Sequence, residues 1–483
     1  MLRVLILFIA FSCYSQSHIG IVSERYSGFN GTAINPTSFI NSPIDQEINV
    51  FGVDFQFDSD YGFIKNSSYL DLGDVFSKIK ITNPYTDDSI DDLSININNS
   101  DKPYSILSSV QLSGPSYIFK FNRDNKTFTF GLGLNQRVNI SSLEFNSGYN
   151  YNNFRKENFG NEILFDQTNS KIYGANWSEV KLNFAYTKEN KSSVSRSFGV
   201  NFKINIPYTS IQINQESPVK MIYKDLDTMI FFNDFKTETS YFLDAEAPFK
   251  KRGFGFAFDL GYSIFKKKAY SKDKHSYIYK LGFSVLDLGF LNFNKLTEVH
   301  NYEILGPREL DIKNVANYRD MSDRVYGDAN KSFKDNSFKL FTPSALSIQF
   351  DYNFFRSFYF NTTIINRLIF GDKTLIRPNI LNSSLRIEKR EYSLILSSTL
   401  YEYEKLMIGL SSRLGPVYFS IDNISNMLFK KNKLNHVEFM FGVKIYPFYK
   451  KNSNCICLNW FSTTFNWRFK YNLVYNRVKG EKV

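Results

Sequence analysis

Cysteine is almost missing from this chain, with three in 483 residues. Cys13 lies in an apolar N-terminal stretch, and Cys455 and Cys457 stand one residue apart in "NCICLNW". A disulfide framework therefore cannot be what holds the chain together. A strained local disulfide or a metal site is open to Cys455 and Cys457, but two unpaired thiols are the simpler reading, because a metal needs more ligands. Histidine is nearly as scarce, with four: His18, His275, His300 and His436. No two stand at metal-ligand spacing and no H-E-x-x-H is present, so no metal site is expected. There is no G-x-S-x-G elbow, and "GDANKS" (Gly327 to Ser332) lacks the second glycine of a phosphate-binding loop. A rim hydrolase built on His436 or His300 would need a positioned general base with a partner, and the spacing supplies none. No enzyme activity and no cofactor are expected. Beyond the N-terminus no apolar run reaches 18 residues, which excludes transmembrane helices.

Aromatic residues, by contrast, are abundant: 17% of the chain, with 49 Phe and 31 Tyr. An AT-rich genome would account for their frequency but not for their order. In "SFGVNFKINI", Phe198, Val200, Phe202, Ile204 and Ile206 fall on one face of an extended strand, with Asn201, Lys203 and Asn205 on the other. "TFTFGLGLN" sets Phe128, Phe130, Leu132 and Leu134 against Thr127, Thr129, Gly131 and Gly133. "GFGFAFDLGYSI" sets Phe254 to Tyr262 at every second position against Gly255, Ala257, Asp259 and Gly261. "YIYKLGFSV" places Tyr277, Tyr279, Leu281, Phe283 and Val285 opposite Lys280, Gly282 and Ser284. "ALSIQFDYN" and "HVEFMFGVKI" repeat the pattern. Period two is the mark of a half-buried strand, and about 14 such segments lie within the range of membrane barrels.

The connections alternate between short and long. "RDNK", "KENKSSVSR", "FRS" and "KRE" are short, whereas those from about Asn139 to Ser178, Tyr208 to Arg252 and Gly289 to Pro343 are long. Short turns are basic; long loops carry acids such as Asp87, Asp88, Asp91, Asp92, Glu303, Glu309, Asp311, Asp320 and Asp323. That parity matches an outer-membrane barrel with periplasmic turns and external loops. A soluble β-sandwich would also alternate, but its connections need not sort by parity and its polar face would favour longer charged side chains. No repeat of propeller length is found. The fold expected is thus all-β: a closed antiparallel transmembrane β-barrel of about 14 strands with long extracellular loops.

The first residues, "MLRVLILFIAFSCYSQ", show a basic Arg3, an apolar core and small residues before a cleavage point. They read as a secretory signal peptide over 1–15, cut near Ser15/Gln16. A lipoprotein reading on Cys13 fits poorly, given Ala10 and Phe11 before it. Residues 16–46 precede the first strand and suit a periplasmic segment or a hatch inside the barrel. Residues 47–446 form the barrel, and 447–483 are a C-terminal extension or further strands. The net charge of +11 comes from scattered turn clusters with no recognition helix, so nucleic acid is not an expected partner. The bacterial outer membrane and its lipid are.

Inside the leading segment, "GFNGTAINPTSFINS" contains Asn35-Pro36, a turn signal, and Gly28 and Gly31, which admit close backbone approach. The bland reading is a tight loop. The segment nevertheless resembles the N-terminal Asn-Pro box of an uncharacterised Bacteroidota outer-membrane barrel family, with Thr37 where Ala is usual. Near the other end, "LGPVYFSIDNISNML" and "VEFMFGVKIYPF" resemble the same family through Gly415, Pro416, Tyr418, Asp422, Asn423, Phe441, Gly442 and Lys444. More distantly the chain is similar to FadL-type and PorV/PorP-type barrels. The resemblance implies about 14 strands, an N-terminal hatch and an outer-membrane location, with no settled activity.

Lys203, Asp259, Lys280, Asp351, Arg386, Glu388, Arg413, Glu438 and Lys444 all take the polar phase of their strands and are expected to face the lumen. Two readings are open: cross-strand ion pairs knitting a filled lumen, or a wet passage whose selectivity these residues tune. Three functions follow. One is passive uptake of a hydrophobic or small solute, gated around Asn35-Pro36. Another is an envelope component that holds secretion or assembly partners on its loops. The third, a lipid hydrolase, has no support in the residues.

Overall fold

A computed structural model of the chain describes residues 18–65, 95–97, 104–123, 125–145, 162–165, 170–188, 194–215, 219–223, 228–231, 234–242, 249–268, 276–295, 297–311, 330–355, 357–424 and 433–447. The expectations on the signal peptide, His275, Cys455, Cys457, the acids Asp87, Asp88, Asp91, Asp92, Asp320 and Asp323, and the tail from 448 onward fall outside those residues.

The period-two segments are strands, and 14 of them close a barrel. They are β1 (Gln46–Ser59), β2 (Tyr104–Arg123), β3 (Lys126–Phe145), β4 (Ser170–Lys188), β5 (Val194–Gln215), β6 (Gly253–Lys267) and β7 (Tyr277–Phe293), followed by β8 (Ala345–Phe355), β9 (Phe358–Arg367), β10 (Ile380–Glu388), β11 (Tyr392–Tyr401), β12 (Lys405–Leu414), β13 (Val417–Ile421) and β14 (His436–Ile445). Each pairs antiparallel with the next. β14 returns to β1, with Ile48 opposite Ile445 and Asp58 opposite His436. Closure leaves no open edge, the condition for a sheet to cross a bilayer. Phe235–Phe242, Val299–Ile304, Asn330–Asp335 and Phe338–Phe341 extend the same sheet beyond the barrel strands. No helix among the described residues is long and apolar enough to cross a membrane.

Alternation decides which face each side chain takes. On β5, Phe198 is 60% and Phe202 44% exposed, while Asn201 is 0% and Lys203 4%. The usual inside-out order of a soluble protein is reversed, as lipid contact requires. Cross-strand aromatic pairs knit this outer face. Phe121 stacks on Phe130 with ring centroids 5.9 Å apart, and Phe130 meets Phe184 at 5.0 Å.

Three expectations are corrected. The strands run further than the alternating cores suggested: β3 continues to Phe145, β5 to Gln215 and β7 to Phe293, so part of each supposed loop is ladder. Tyr277 faces inward and is buried with Phe265 and Tyr359, because an irregularity where Lys266 pairs with Tyr279 and Lys267 with Tyr277 shifts the phase. On the rim of long connections, β11 and β12 are joined by a tight turn. There Glu402 (φ 50°) and Tyr403 (φ 58°) both adopt the left-handed conformation, a primed hairpin turn made without glycine.

Candidate functional site

Residues 18–45, which precede β1, lie against the inner face of the barrel wall. They form one helical turn (Ile19–Val22) and two 3-10 turns (Asn30–Ala33 and Ser38–Asn41), and we call residues 18–45 the plug. Such short turns leave most backbone groups unpaired, and a buried chain must satisfy them elsewhere. Here the barrel wall does so. Asn201 Nδ2 donates to the Thr32 carbonyl at 2.9 Å, Ser284 Oγ to that of Ile34 at 2.6 Å and Asn183 Nδ2 to that of Pro36 at 3.0 Å. The apolar side chains of the plug are buried as well. Phe29 fills space that Gly133 leaves on β3, where a Cβ would stand 2.4 Å from its ring, and Lys181 Nζ caps the ring at 4.2 Å.

Asn35-Pro36 is more than a turn. Asn35 Nδ2 donates to Gln349 Oε1 on β8 at 2.9 Å, and its Oδ1 accepts from Thr37 N at 3.0 Å and Thr37 Oγ1 at 2.8 Å. The Thr37 hydroxyl also lies 2.9 Å from Ser263 Oγ on β6. Gly199, Gly261 and Gly282 make the seat: a Cβ on Gly199 would lie 2.9 Å from the Pro36 carbonyl carbon, and one on Gly261 2.5 Å from Asn35 Oδ1. Gly31 packs within the plug itself, where a Cβ would meet Ser27 Oγ at 2.2 Å.

The charged residues form ion pairs across strands and to the plug. Lys203 Nζ lies 2.7 Å from Asp259 and 2.5 Å from Asp287. Arg386 meets Asp351 at 2.8 Å and Glu388 at 2.9 Å, and Glu388 also accepts from Arg25 of the plug at 2.8 Å. Lys280 stands opposite Asp351 in the β7–β8 register. Arg413 reaches Glu24 of the plug at 2.9 Å, and Lys444 donates to the Tyr26 carbonyl. Glu438 meets His436 at 3.3 Å. Such pairs offset the cost of desolvating each charge.

Several members of this network were not singled out from the sequence. Arg137 bridges Glu179 at 3.0 Å and Asp287 at 3.0 Å, and Arg377 joins Asp287 at 2.5 Å. Arg137 and Glu179 occupy the polar phase of "NQRVNI" and "WSEVKL", so the same alternation finds them. Asp287 sits in "VLDLGF" between leucines. A bulge where Phe258 pairs with Leu288 but Leu260 with Val285, together with φ 52° at Asp287, turns it inward.

The C-terminal motif residues surround β13. Gly415 takes φ 58° in the β12–β13 turn, and the Pro416 carbonyl accepts from Lys444 N at 2.8 Å. Gly442 leaves room for Tyr418, whose hydroxyl would sit 2.2 Å from a Cβ there. Asp422 accepts from Ser420 Oγ at 3.2 Å, and Asn423 Nδ2 donates to the His436 carbonyl at 3.3 Å. His300 lies apart, against Glu298 at 2.7 Å.

Space is distributed unevenly between the two sides of the wall. Gaps in the lumen beside Lys280, Gln349 and Asp351 and beside Arg137 and Arg377 measure about 30 and about 10 Å³, room for about one water molecule each. Outside, an open apolar groove of about 610 Å³ runs between Phe184, Phe198, Val200, Leu260, Tyr262 and Phe283, with Gly199 and Gly261 at its base. Only one backbone layer separates that groove from Pro36.

Among solved structures, the chain is similar to the TodX deltaS2S3 mutant, a monoaromatic hydrocarbon channel, with 9% identity and TM-score 0.42 over 90% of this chain and 95% of that one. It is similar to the Pseudomonas putida toluene transporter TodX at 9% identity and TM-score 0.37, over 88% and 93%. A Pseudomonas aeruginosa FadL homologue matches at 9% identity and TM-score 0.29, over 87% and 93%. No curated protein matches the chain by sequence. The model of a family of unknown function, DUF5723, matches residues 53–422. These residues run from β1 to the end of β13, and the chain belongs to that family.

Proposed function

We propose that this protein is a non-enzymatic outer-membrane barrel that admits small apolar solutes by a plug-gated, sideways route. The observation that carries the reading is the thin wall at Gly199 and Gly261, with an apolar groove of about 610 Å³ outside and Asn35-Pro36 seated inside. An apolar molecule gains nothing from a charged lumen; a route into the lipid beside Phe198 and Leu260 spares it that environment. The plug holds the route shut, and release of Asn35 from Gln349 and of Thr37 from Ser263 uncovers it. Water-sized lumen gaps favour a second reading, a closed barrel that serves as a membrane anchor for envelope partners.

The test is uptake of a radiolabelled alkylbenzene by bacteria whose lipopolysaccharide-covered outer membrane carries the protein. Uptake above the empty-vector level, reduced by Gly261→Leu in an assembled barrel, supports the importer. Background uptake by an assembled barrel that co-purifies with a stoichiometric envelope protein supports the anchor.

A further inference from the structure

Where the plug begins, His18 is buried at 1% exposure, with neither ring nitrogen hydrogen-bonded. Its Nδ1 lies 3.7 Å from Asp422 Oδ2 and its Nε2 3.6 Å from Asp54 Oδ1, beyond hydrogen-bond length. Asp422 Oδ2 and Glu438 Oε1 are also buried without a hydrogen-bond partner. One ligand atom from each of His18, Asp422 and Glu438 lies within 4.8 Å of the others.

We infer that His18, Asp422 and Glu438 bind one divalent transition-metal ion, of the Zn²⁺ class, which fastens the plug to the seam where the barrel closes. Neighbouring ligands of such a tetrahedral ion stand about 3.4 Å apart when each bond is about 2.1 Å. The three donors, within 4.8 Å of one another, therefore need to move inward by at most about 0.8 Å each to share it. The donor set selects the metal class: imidazole with carboxylates suits zinc and its neighbours, whereas calcium and magnesium take oxygen.

Charge points the same way. Asp422, Glu438 and Asp54 converge on one imidazole, and among the described residues Asp422 and Glu438 have only histidines as ion-pair partners. Three carboxylates around one imidazole make an excess of buried negative charge that a divalent ion removes. The outward oxygens are already held. Ser420 Oγ donates to Asp422 Oδ1 at 3.2 Å, and His436 Nε2 lies 3.3 Å from Glu438 Oε2, with its Nδ1 3.2 Å from Asp58. That is how an outer layer orients ligands, leaving the inner oxygens aimed at the ion.

The test uses the full chain, extracted in detergent, stripped with EDTA, incubated with Zn²⁺ alone, desalted and analysed for metal. Resistance to SDS at ambient temperature verifies the folded barrel. The expected result is about one zinc per wild-type chain, lost in His18→Ala and Asp422→Asn and kept in Glu402→Gln at the rim. His436→Gln, which keeps all three ligands but frees the Glu438 carboxylate, weakens zinc binding about 10- to 100-fold against a competing chelator. Folded wild type without zinc overturns the site, as does full zinc retention in both ligand variants. If a ligand variant fails to fold, wild-type stoichiometry and the His436→Gln shift decide.

Discussion

Lys203 on β5 lies 2.5 Å from Asp287 on β7 and so ties two strands that are not neighbours, across the β6 carboxylate of Asp259 at 2.7 Å. The ammonium group is shared by two buried acids, and its removal strands Asp259, while Asp287 keeps Arg137 and Arg377. Lys203→Met is expected to lower barrel stability by about 3–5 kcal/mol, read as a shifted urea midpoint for loss of the SDS-resistant band. Adding Asp259→Asn should recover part of the loss, because one uncompensated charge is then gone. Unchanged stability in Lys203→Met would mean that the lumen is wet enough to solvate Asp259.

The plug can be locked in its seat. Thr37 Oγ1 and Ser263 Oγ are 2.9 Å apart, so Thr37→Cys with Ser263→Cys, in a chain whose Cys455 and Cys457 are serine, places two thiols side by side. Oxidation should abolish uptake of the apolar solute and reductant should restore it. Uptake that ignores the disulfide would rule out the plug as the gate.

Phe29 occupies a space that Gly131 and Gly133 leave in the wall. Phe29→Ala empties that space, and the loss expected for a buried aromatic is about 3–5 kcal/mol. The same variant should expose the plug to protease before the barrel unfolds, visible as an early cleavage near the N-terminus in a time course.

Lipid contact makes a prediction of opposite sign to the usual surface rule. Leu396 is 53% exposed on the outer face of β11, where an arginine in water would be harmless. Leu396→Arg should instead destabilise the barrel by about 2–4 kcal/mol if it lies near the bilayer midplane. A neutral effect in a folding assay into vesicles would contradict a membrane-facing β11.

The β11–β12 turn stores strain at Tyr403, φ 58°. Tyr403→Gly should raise stability by about 1 kcal/mol, measured as a higher urea midpoint.

The wall of this fold was legible because its rule is local. Phe198 and Lys203 differ in phase within a single strand, and closure does not change that. The segment before β1 was legible as a periplasmic segment or hatch with a turn in it, but not in its contacts. That Asn35 would meet Gln349, and Pro36 the glycines of β5 and β6, depends on contacts hundreds of residues apart. Asp287 and Tyr277 were misread or passed over because irregular pairing breaks the alternation beside them, and no residue type announces such a break. The cluster at His18 was hidden for another reason. Its donors come from positions 18, 422 and 438, so no spacing motif links them, and a search for neighbouring ligands finds nothing.

Consider the seam between β1 and β14. The plug reaches Tyr418 through Asn30 at 2.8 Å and Lys444 through the Tyr26 carbonyl, both hundreds of residues away, while β1 follows the plug directly. These bonds exist only once β14 has met β1, so ring closure completes a seat whose other contacts lie on β4 to β8. A nascent barrel without β13 and β14 would keep an open edge beside a partly held plug, a distinctive target for quality-control proteases. Assembly is thus the step at which a closed barrel differs from an open one in what it exposes.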